Sequence, residues 1–371
     1  MRILHISSAR ALGGGERHLA GLLEGLVVRG HEVYAALSHA SLLGAELKKV
    51  PDANVLRLPL RNALDAPSAL RLARFVRARR IEIVHAHLAR DYPLAALASR
   101  LAPGSKLFIT RHVLFPLGRV HSLVLRRAAR ILAVSGAVER ALRAQRLFPT
   151  DKIRTVQNGI DIERFERAAR GFDRTEFRRR LGASARLVVG TVGELSNVKG
   201  QEDFLRAAAL VVRALGDGVG FLVVGEDASR DGQRRAALGR LVAELGIGER
   251  LRLLGRMEDV APLLHALDLY VSASRSEAFG LAIVEAMACG LAVVATATEG
   301  AREIVEDGET GRLVGVGNVD ALAESILALL ANPSERERLG AQARASARER
   351  FSLVRMIEAT EKLYLEALGE K

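Results

Sequence analysis

Short apolar runs punctuate the chain, and polar stretches of helix length separate most of them. In the first half the runs fall at 2–8, 31–37, 54–58, 81–85, 106–110, 129–134 and 153–156. Helical stretches lie between them, at 16–29 (closed by Gly30), 67–80 and 138–146. Strands that alternate with helices predict a parallel sheet covered on both faces. From 161 to 185 the strand pattern stops and charge takes over, which predicts a linker with some helix. A second alternating series then begins, with strands at 187–191, 221–224, 251–254, 269–272 and 291–295. Asn318 and Asp320 read as the start of a helix over 321–330, and the tail from Ser334 is helical. The pattern predicts two doubly wound α/β domains of similar size, facing a central cleft, with no internal repeat.

Length and composition agree with this: 371 residues suffice for two such domains, and 49% hydrophobic content fills their cores. Trp is absent and aromatics reach 4%, so those cores are built from Leu, Val, Ile and Ala. Cys289 is the single cysteine, which excludes an internal disulfide framework, fits a reducing compartment, and in its apolar run reads as a small buried hydrophobe. No apolar run is long enough to span a bilayer, and the N-terminus reads as a first strand rather than a signal peptide. The net charge of +12 is unevenly placed. Residues 1–170 hold 29 Lys and Arg against 13 Asp and Glu, while the remainder is slightly acidic. A basic first half favours an anionic partner: a lipid surface, a phosphorylated acceptor or nucleic acid. The basic helices lack interleaved aromatics, so no nucleic acid is expected as partner.

Candidate chemistry collects at the ends of strands. In 276–290, Glu277 precedes a Phe279-Gly280 turn, Leu281 follows the turn, and Glu285 comes eight residues after Glu277 inside a helix. Free amides and the dipole at such a helix start favour an anion, and the two carboxylates can accept bonds from hydroxyls on either side of it. A phosphate flanked by polyhydroxylated groups, as in a nucleotide-sugar, fits that pattern. Gly193 to Gly200 forms another strand-to-helix loop, and Lys199 there can set its ammonium on a phosphate. Gly13-Gly14-Gly15 is a glycine loop after the first strand. Gly225-Glu226 and Gly255-Arg256-Met257 end strands on the same predicted edge, where α/β ligands bind. His85, His87, Asp91 and His112 group at strand ends of the first half. They read as a polar wall, with His112 bonding a substrate hydroxyl, rather than as a metal site.

Taken in order, these pieces resemble the retaining GT-B glycosyltransferases of family 4 over nearly the full length. The residues that carry the resemblance are Gly13–15, Thr110-Arg111-His112, Ala133-Val134-Ser135 and Asn158-Gly159-Ile160-Asp161, then Gly193 with Lys199-Gly200, and Gly225-Glu226. The Glu277 to Leu281 segment with Glu285-Ala286-Met287, the 299–305 segment, and Asp307-Gly308-Glu309-Thr310-Gly311 complete the series. The resemblance implies an acceptor-side Rossmann-like domain over 1–165 and a nucleotide-sugar domain over 166–350. It also implies a last helix, 351–371, that crosses back to the first domain.

It implies roles as well. Lys199 contacts the donor diphosphate, with Gly193 in the same loop. Glu277 holds hydroxyls of the sugar, and Glu285 binds the ribose diol. Gly280 and Leu281 present amides to the phosphate or sugar, Phe279 belongs to the same donor-binding turn, and Arg256 and Met257 lie near the base. Gly14 and Gly15 approach the diphosphate, and His112 sits by the sugar; Lys199, Glu277 and His112 are the catalytic set.

The expected activity is metal-independent, cofactor-free transfer of a hexose from a UDP- or GDP-sugar to a glycan or lipid-linked acceptor. Such an enzyme works in cell-envelope or polysaccharide biosynthesis. It is cytoplasmic, or peripheral on the inner face of the membrane through the basic half. Glu194 departs from the family, which usually carries a basic residue there. The alternatives are a nucleotide-sugar 2-epimerase of the same fold and a catalytically weak nucleotide-sugar-binding protein.

Overall fold

The computed structural model describes residues 1–118, 120–183 and 185–369, without the side chains of Val120 and Arg230. The chain divides into two compact units, 1–160 with 353–371 and 161–352. The division falls slightly ahead of the one at 165 read from the sequence, because Asp161 already caps the first helix of the second unit through the amide of Arg164 (3.0 Å).

Among the described residues the first unit holds seven parallel strands: β1 (Arg2–Ser7), β2 (Glu32–Ser38), β3 (Val55–Leu58), β4 (Ile83–Ala86), β5 (Lys106–Arg111), β6 (Arg130–Ala133) and β7 (Ile153–Thr155). Their order is β3-β2-β1-β4-β5-β6-β7. The order reverses between β1 and β4, the position at which doubly wound sheets open a crevice beyond their carboxyl ends. Helices α1 (Gly14–Val28), α2 (Ala66–Ala78), α3 (Tyr92–Leu101), α4 (Val120–Val124) and α5 (Gly136–Ala144) cross over the sheet. Helix α1 begins inside the glycine run rather than at Glu16, since the Glu16 carboxylate folds back onto the Gly13 amide (2.9 Å) and draws Gly14 and Gly15 into the first turn.

The second unit holds β8 (Leu187–Val192), β9 (Val219–Val224), β10 (Leu251–Gly255), β11 (Leu269–Ser272), β12 (Val293–Thr296) and β13 (Arg312–Val314), in the order β10-β9-β8-β11-β12-β13. The expected linker contains α6 (Ile162–Ala168) and α7 (Arg174–Arg180). Asp268 anchors α7 by accepting from Arg174 and Arg178 (2.8 and 2.6 Å). Helices α8 (Gln201–Leu215), α9 (Gln233–Glu244), α10 (Ala261–Ala266), α11 (Leu281–Ala288), α12 (Glu299–Ile304), α13 (Val319–Ala331) and α14 (Pro333–Arg350) complete this unit.

The last helix, α15 (Leu353–Leu368), returns to the first unit and packs on α1. Gly21 and Gly25 of α1 leave room for Leu353 and Ile357. Glu361 accepts from Arg29 (2.7 Å) and pairs with His31 (2.5 Å), and the buried Tyr364 hydroxyl meets Nδ1 of His85 (2.5 Å). Residues 370 and 371 of the expected helix lie outside the described residues. Tyr364→Phe should lower stability by about 1–3 kcal/mol, because it strips a partner from a buried imidazole. A urea midpoint equal to wild type would show that this bond contributes nothing.

Candidate active site

In the second unit, the ends of β8, β9, β10, β11 and β12 are tied together by backbone bonds. Gly193 N donates to Val224 O (2.9 Å), Leu195 N to Glu226 O (2.9 Å) and Gly225 N to Gly255 O (2.9 Å). Arg275 N donates to Val198 O (2.7 Å), and Gly300 N to Glu277 O (3.1 Å). Two of these approaches require glycine. Gly200 sits in the left-handed region (φ 63°), and a Cβ there would overlap the Ala273 carbonyl. A Cβ on Gly300 would overlap the carbonyls of Phe279 and Glu277. The strand ends of β8, β9, β10, β11 and β12 therefore share one edge, and the segments that follow them carry Gly193, Lys199, Arg256, Met257, Glu277, Phe279, Gly280, Leu281 and Glu285 in the same unit.

At this edge Lys199 Nζ lies 2.5 Å from Glu277 Oε1, which also accepts from Ser274 Oγ (2.9 Å). The Glu277 side chain is 13% exposed and that of Lys199 29%. This pair is half-desolvated and stays open to a competing anion. Gly280 caps α11 with φ 121°, and the amides of Ile283 and Val284 both turn back onto its carbonyl (3.0 and 3.2 Å). The amides of Leu281 and Ala282, ahead of them, take no partner among the described residues, as helix geometry requires. Beneath the loop, Tyr270 is buried and its phenol is pushed upward, first by burial and then by the charges of Glu277 and Glu285. Thr296 Oγ1 donates to the Ser274 carbonyl and fixes the strand end. Asp203 takes both nitrogens of Arg275 (3.0 and 2.9 Å), a bidentate clamp between α8 and this loop that sequence reading missed.

Glu194 is exposed, and its carbonyl accepts from Gln201 Nε2 (2.8 Å). Arg256 is exposed as well and pairs with Glu226 (3.6 Å).

The first unit gathers His5, His85, His87 and His112, on or just beyond its strands, with His18 of α1. His5 Nδ1 lies 3.0 Å from His87 Nε2, and the ring centroids of His85 and His87 are 4.3 Å apart. The His18 and His112 rings meet edge-on at 5.3 Å, and those of His87 and His112 lie 5.8 Å apart. His5 and His18 escaped sequence reading, although a polar residue inside the apolar run of β1 is a signal. His5, His85 and His87 cluster tightly, but His85 uses both ring nitrogens on Tyr364 (2.5 Å) and Thr110 (2.7 Å). Asp91, instead of joining them, accepts from the Ser8 amide (2.8 Å). Burial holds these imidazoles neutral: His5 is pushed down to about 3, and His112 to about 4 with help from Arg111. His18, His85 and His87 fall well below the ordinary range for the same reason.

A family model described as glycosyl transferases group 1 matches residues 173–346, and one described as glycosyltransferase family 4 matches residues 12–164. The chain belongs to the group 1 glycosyltransferases and has their α/β GT-B fold. The N-acetyl-alpha-D-glucosaminyl L-malate synthase of Bacillus anthracis is 28% identical over 316 residues, 82% of this chain and 80% of that protein. The D-inositol 3-phosphate glycosyltransferase of Mycobacterium ulcerans is 35% identical over 223 residues, 59% of this chain; the match spans 46% of that relative. Among solved structures, HepE of Anabaena in complex with UDP-glucose superposes with a TM-score of 0.84 at 26% identity, covering 98% of each chain.

The buried histidines give a pH prediction. A histidine whose folded pKa lies below its unfolded value stabilises the fold in its neutral form. That contribution is complete above about pH 6.5 and is lost as pH falls toward the folded value. For His5 alone the loss by pH 4 is about 3 kcal/mol. Ring-proton NMR should keep His5 and His112 in the neutral form at pH 5.5. A titration midpoint near pH 6.5 for either ring would contradict the burial argument.

Proposed function

We propose that the protein is a retaining, metal-independent glycosyltransferase that moves a hexose from a nucleoside-diphosphate sugar to a glycan or lipid-linked acceptor. The observation that carries this reading is the Lys199–Glu277 pair (2.5 Å) beside the open amides of α11, with Glu285 further along the same helix. A dianionic diphosphate is the ligand that completes it. In this reading the phosphate takes the Lys199 ammonium and the amides of Gly280 and Leu281, and Glu277 turns to hydroxyls of the sugar, steadied by Ser274. Glu285 accepts from the ribose diol. The turn at Arg256 and Met257 borders the base, and Gly193 lets the backbone approach the phosphates.

As the glycosidic bond breaks, negative charge grows on the leaving diphosphate. Once the diphosphate has drawn Lys199 away from Glu277, the fixed amides and the ammonium stand at that point before the bond breaks and stabilise the charge, which in this reading makes a metal unnecessary. In the first unit, His112 is assigned to the reacting sugar, and Gly14 and Gly15 to the diphosphate. Burial keeps the His112 imidazole neutral, so that it acts as a hydrogen-bonding partner rather than a fixed cation. UDP-sugars are the donors to test first, because HepE, 26% identical, has been solved with UDP-glucose. The work belongs on the cytoplasmic side of the cell envelope.

Lys199→Ala should lower kcat by about 10²-fold at saturating substrates, because it removes a group that stabilises the leaving-group charge. Wild-type kcat in the folded variant would reject that role. Glu285→Ala should weaken binding of free nucleoside diphosphate by about 1.5–3 kcal/mol, and unchanged affinity would reject the ribose assignment. Product analysis by NMR should show the anomeric configuration retained, with full activity in excess chelator. An inverted product, or a strict metal requirement, would overturn the mechanism.

A further inference from the structure

We infer that the outer face of α2, α3 and α4 in the first unit docks on an anionic lipid bilayer. Residues 61–130 hold 14 Lys and Arg against 3 Asp and Glu. All three acids are occupied. Asp91 is buried on the Ser8 amide, Asp65 caps α2 through the Ser68 amide (3.2 Å), and Glu82 accepts from the Arg2 amide (2.7 Å). Arg111 is buried and Arg90 bonds to Ser8 Oγ (2.6 Å), and the exposed arginines that remain face solvent without local neutralisation.

The helices sort their residues by face. Helix α2 buries Ser68, Ala69, Leu72, Ala73 and Val76, and turns Leu70, Arg71, Arg74 and Arg77 outward. Helix α2 packs on α3, which exposes Leu97 and Arg100, and α3 packs on α4. Leu123 of α4 is exposed, and Arg126 and Arg127 follow it. None of Arg71, Arg74, Arg77, Arg100, Arg126 and Arg127 has a carboxylate partner among the described residues. Arg119, part of the same basic stretch, lies outside the described residues.

Charge alone would suit any polyanion, and the apolar side chains among the arginines decide for lipid. Leu64 is 90% exposed, Leu123 74% and Phe115 69%. Large apolar groups set among cations suit an interface where the first insert below the headgroups and the second meet the phosphates. Nucleic acid would leave Leu64 and Leu123 in water. The loop carrying Val113 and Phe115 starts at His112, directly after β5, so its insertion brings the residue assigned to the reacting sugar to the headgroup plane. In this respect the inference rests on the proposed function, and it adds that the acceptor is presented at a lipid surface.

Flotation of the full chain with phosphatidylcholine vesicles, with and without phosphatidylglycerol, tests this. Binding should occur only with phosphatidylglycerol and fall at high salt. Each engaged arginine is worth about fivefold in partition, so the triple reversal of Arg71, Arg74 and Arg77 to Glu should lower binding at least about tenfold. The double change Phe115→Ser with Leu123→Ser should lower it severalfold while circular dichroism stays that of wild type. Absent binding to both vesicles at low salt would overturn the proposal. So would wild-type binding by the Phe115 and Leu123 double variant, which would mark a purely electrostatic surface suited to a soluble polyanion. UDP binding, measured in parallel, reports on the donor site and not on the outer face of α2, α3 and α4. Its loss with vesicle binding intact would refute the donor reading and leave the docking face standing.

Discussion

The second unit depends on how closely the backbones at its strand ends approach one another. A side chain at Gly200 or Gly300 would collide with a neighbouring carbonyl, and it is these contacts that hold the loops after β8, β11 and β12 to one edge. The consequence is chemical. Lys199, Ser274 and Glu277 come from two separate loops, yet they form one hydrogen-bonded group within 2.9 Å contacts. Close packing of backbone supplies a rigidity that long, solvated side chains lack, and a site for developing charge needs that rigidity in advance of the reaction.

The first unit solves a different problem. His5, His85, His87 and the half-buried His112, on or just beyond its strands, meet His18 of α1, and desolvation keeps these rings uncharged, so polar groups persist inside an otherwise apolar core. Tyr364 reaches into this group from α15, which makes the C-terminal helix part of the same network as His85 and Thr110. The outer helices of this unit carry the opposite character: arginines and single large apolar residues, unpaired and exposed. One face thus preserves neutral hydrogen-bonding groups, and another concentrates charge.

Much of the fold could be read from the sequence, because parallel strands buried on both faces announce themselves as apolar runs. Strands β1 to β12 coincide with such runs to within a few residues. Strand β13 escaped notice: it is three residues long, it contains Arg312, and it pairs only with β12 at the sheet edge. The start of α1 was misjudged because glycines normally signal a loop, and only the Glu16 carboxylate on the Gly13 amide pulls them into the helix. Glu277 and Glu285 were legible from their spacing around Phe279-Gly280. The clamp between Arg275 and Asp203 was not, since two charged residues 72 positions apart carry no local pattern. His18 was invisible for a similar reason, since it reaches His112 from α1, while His5, a polar residue within an apolar run, joins His85 only through strand order, with β1 beside β4.

The central claim is that the laced edge of the second unit receives a nucleoside diphosphate. A crystal structure of the full chain with UDP tests it most directly. The account predicts the diphosphate against the amides of Gly280 and Leu281, with Lys199 Nζ on a phosphate oxygen, Glu285 on the ribose, and the Lys199–Glu277 distance lengthened from 2.5 Å. A nucleotide bound away from α11, or one that leaves Glu285 without a ribose contact at full occupancy, would contradict it.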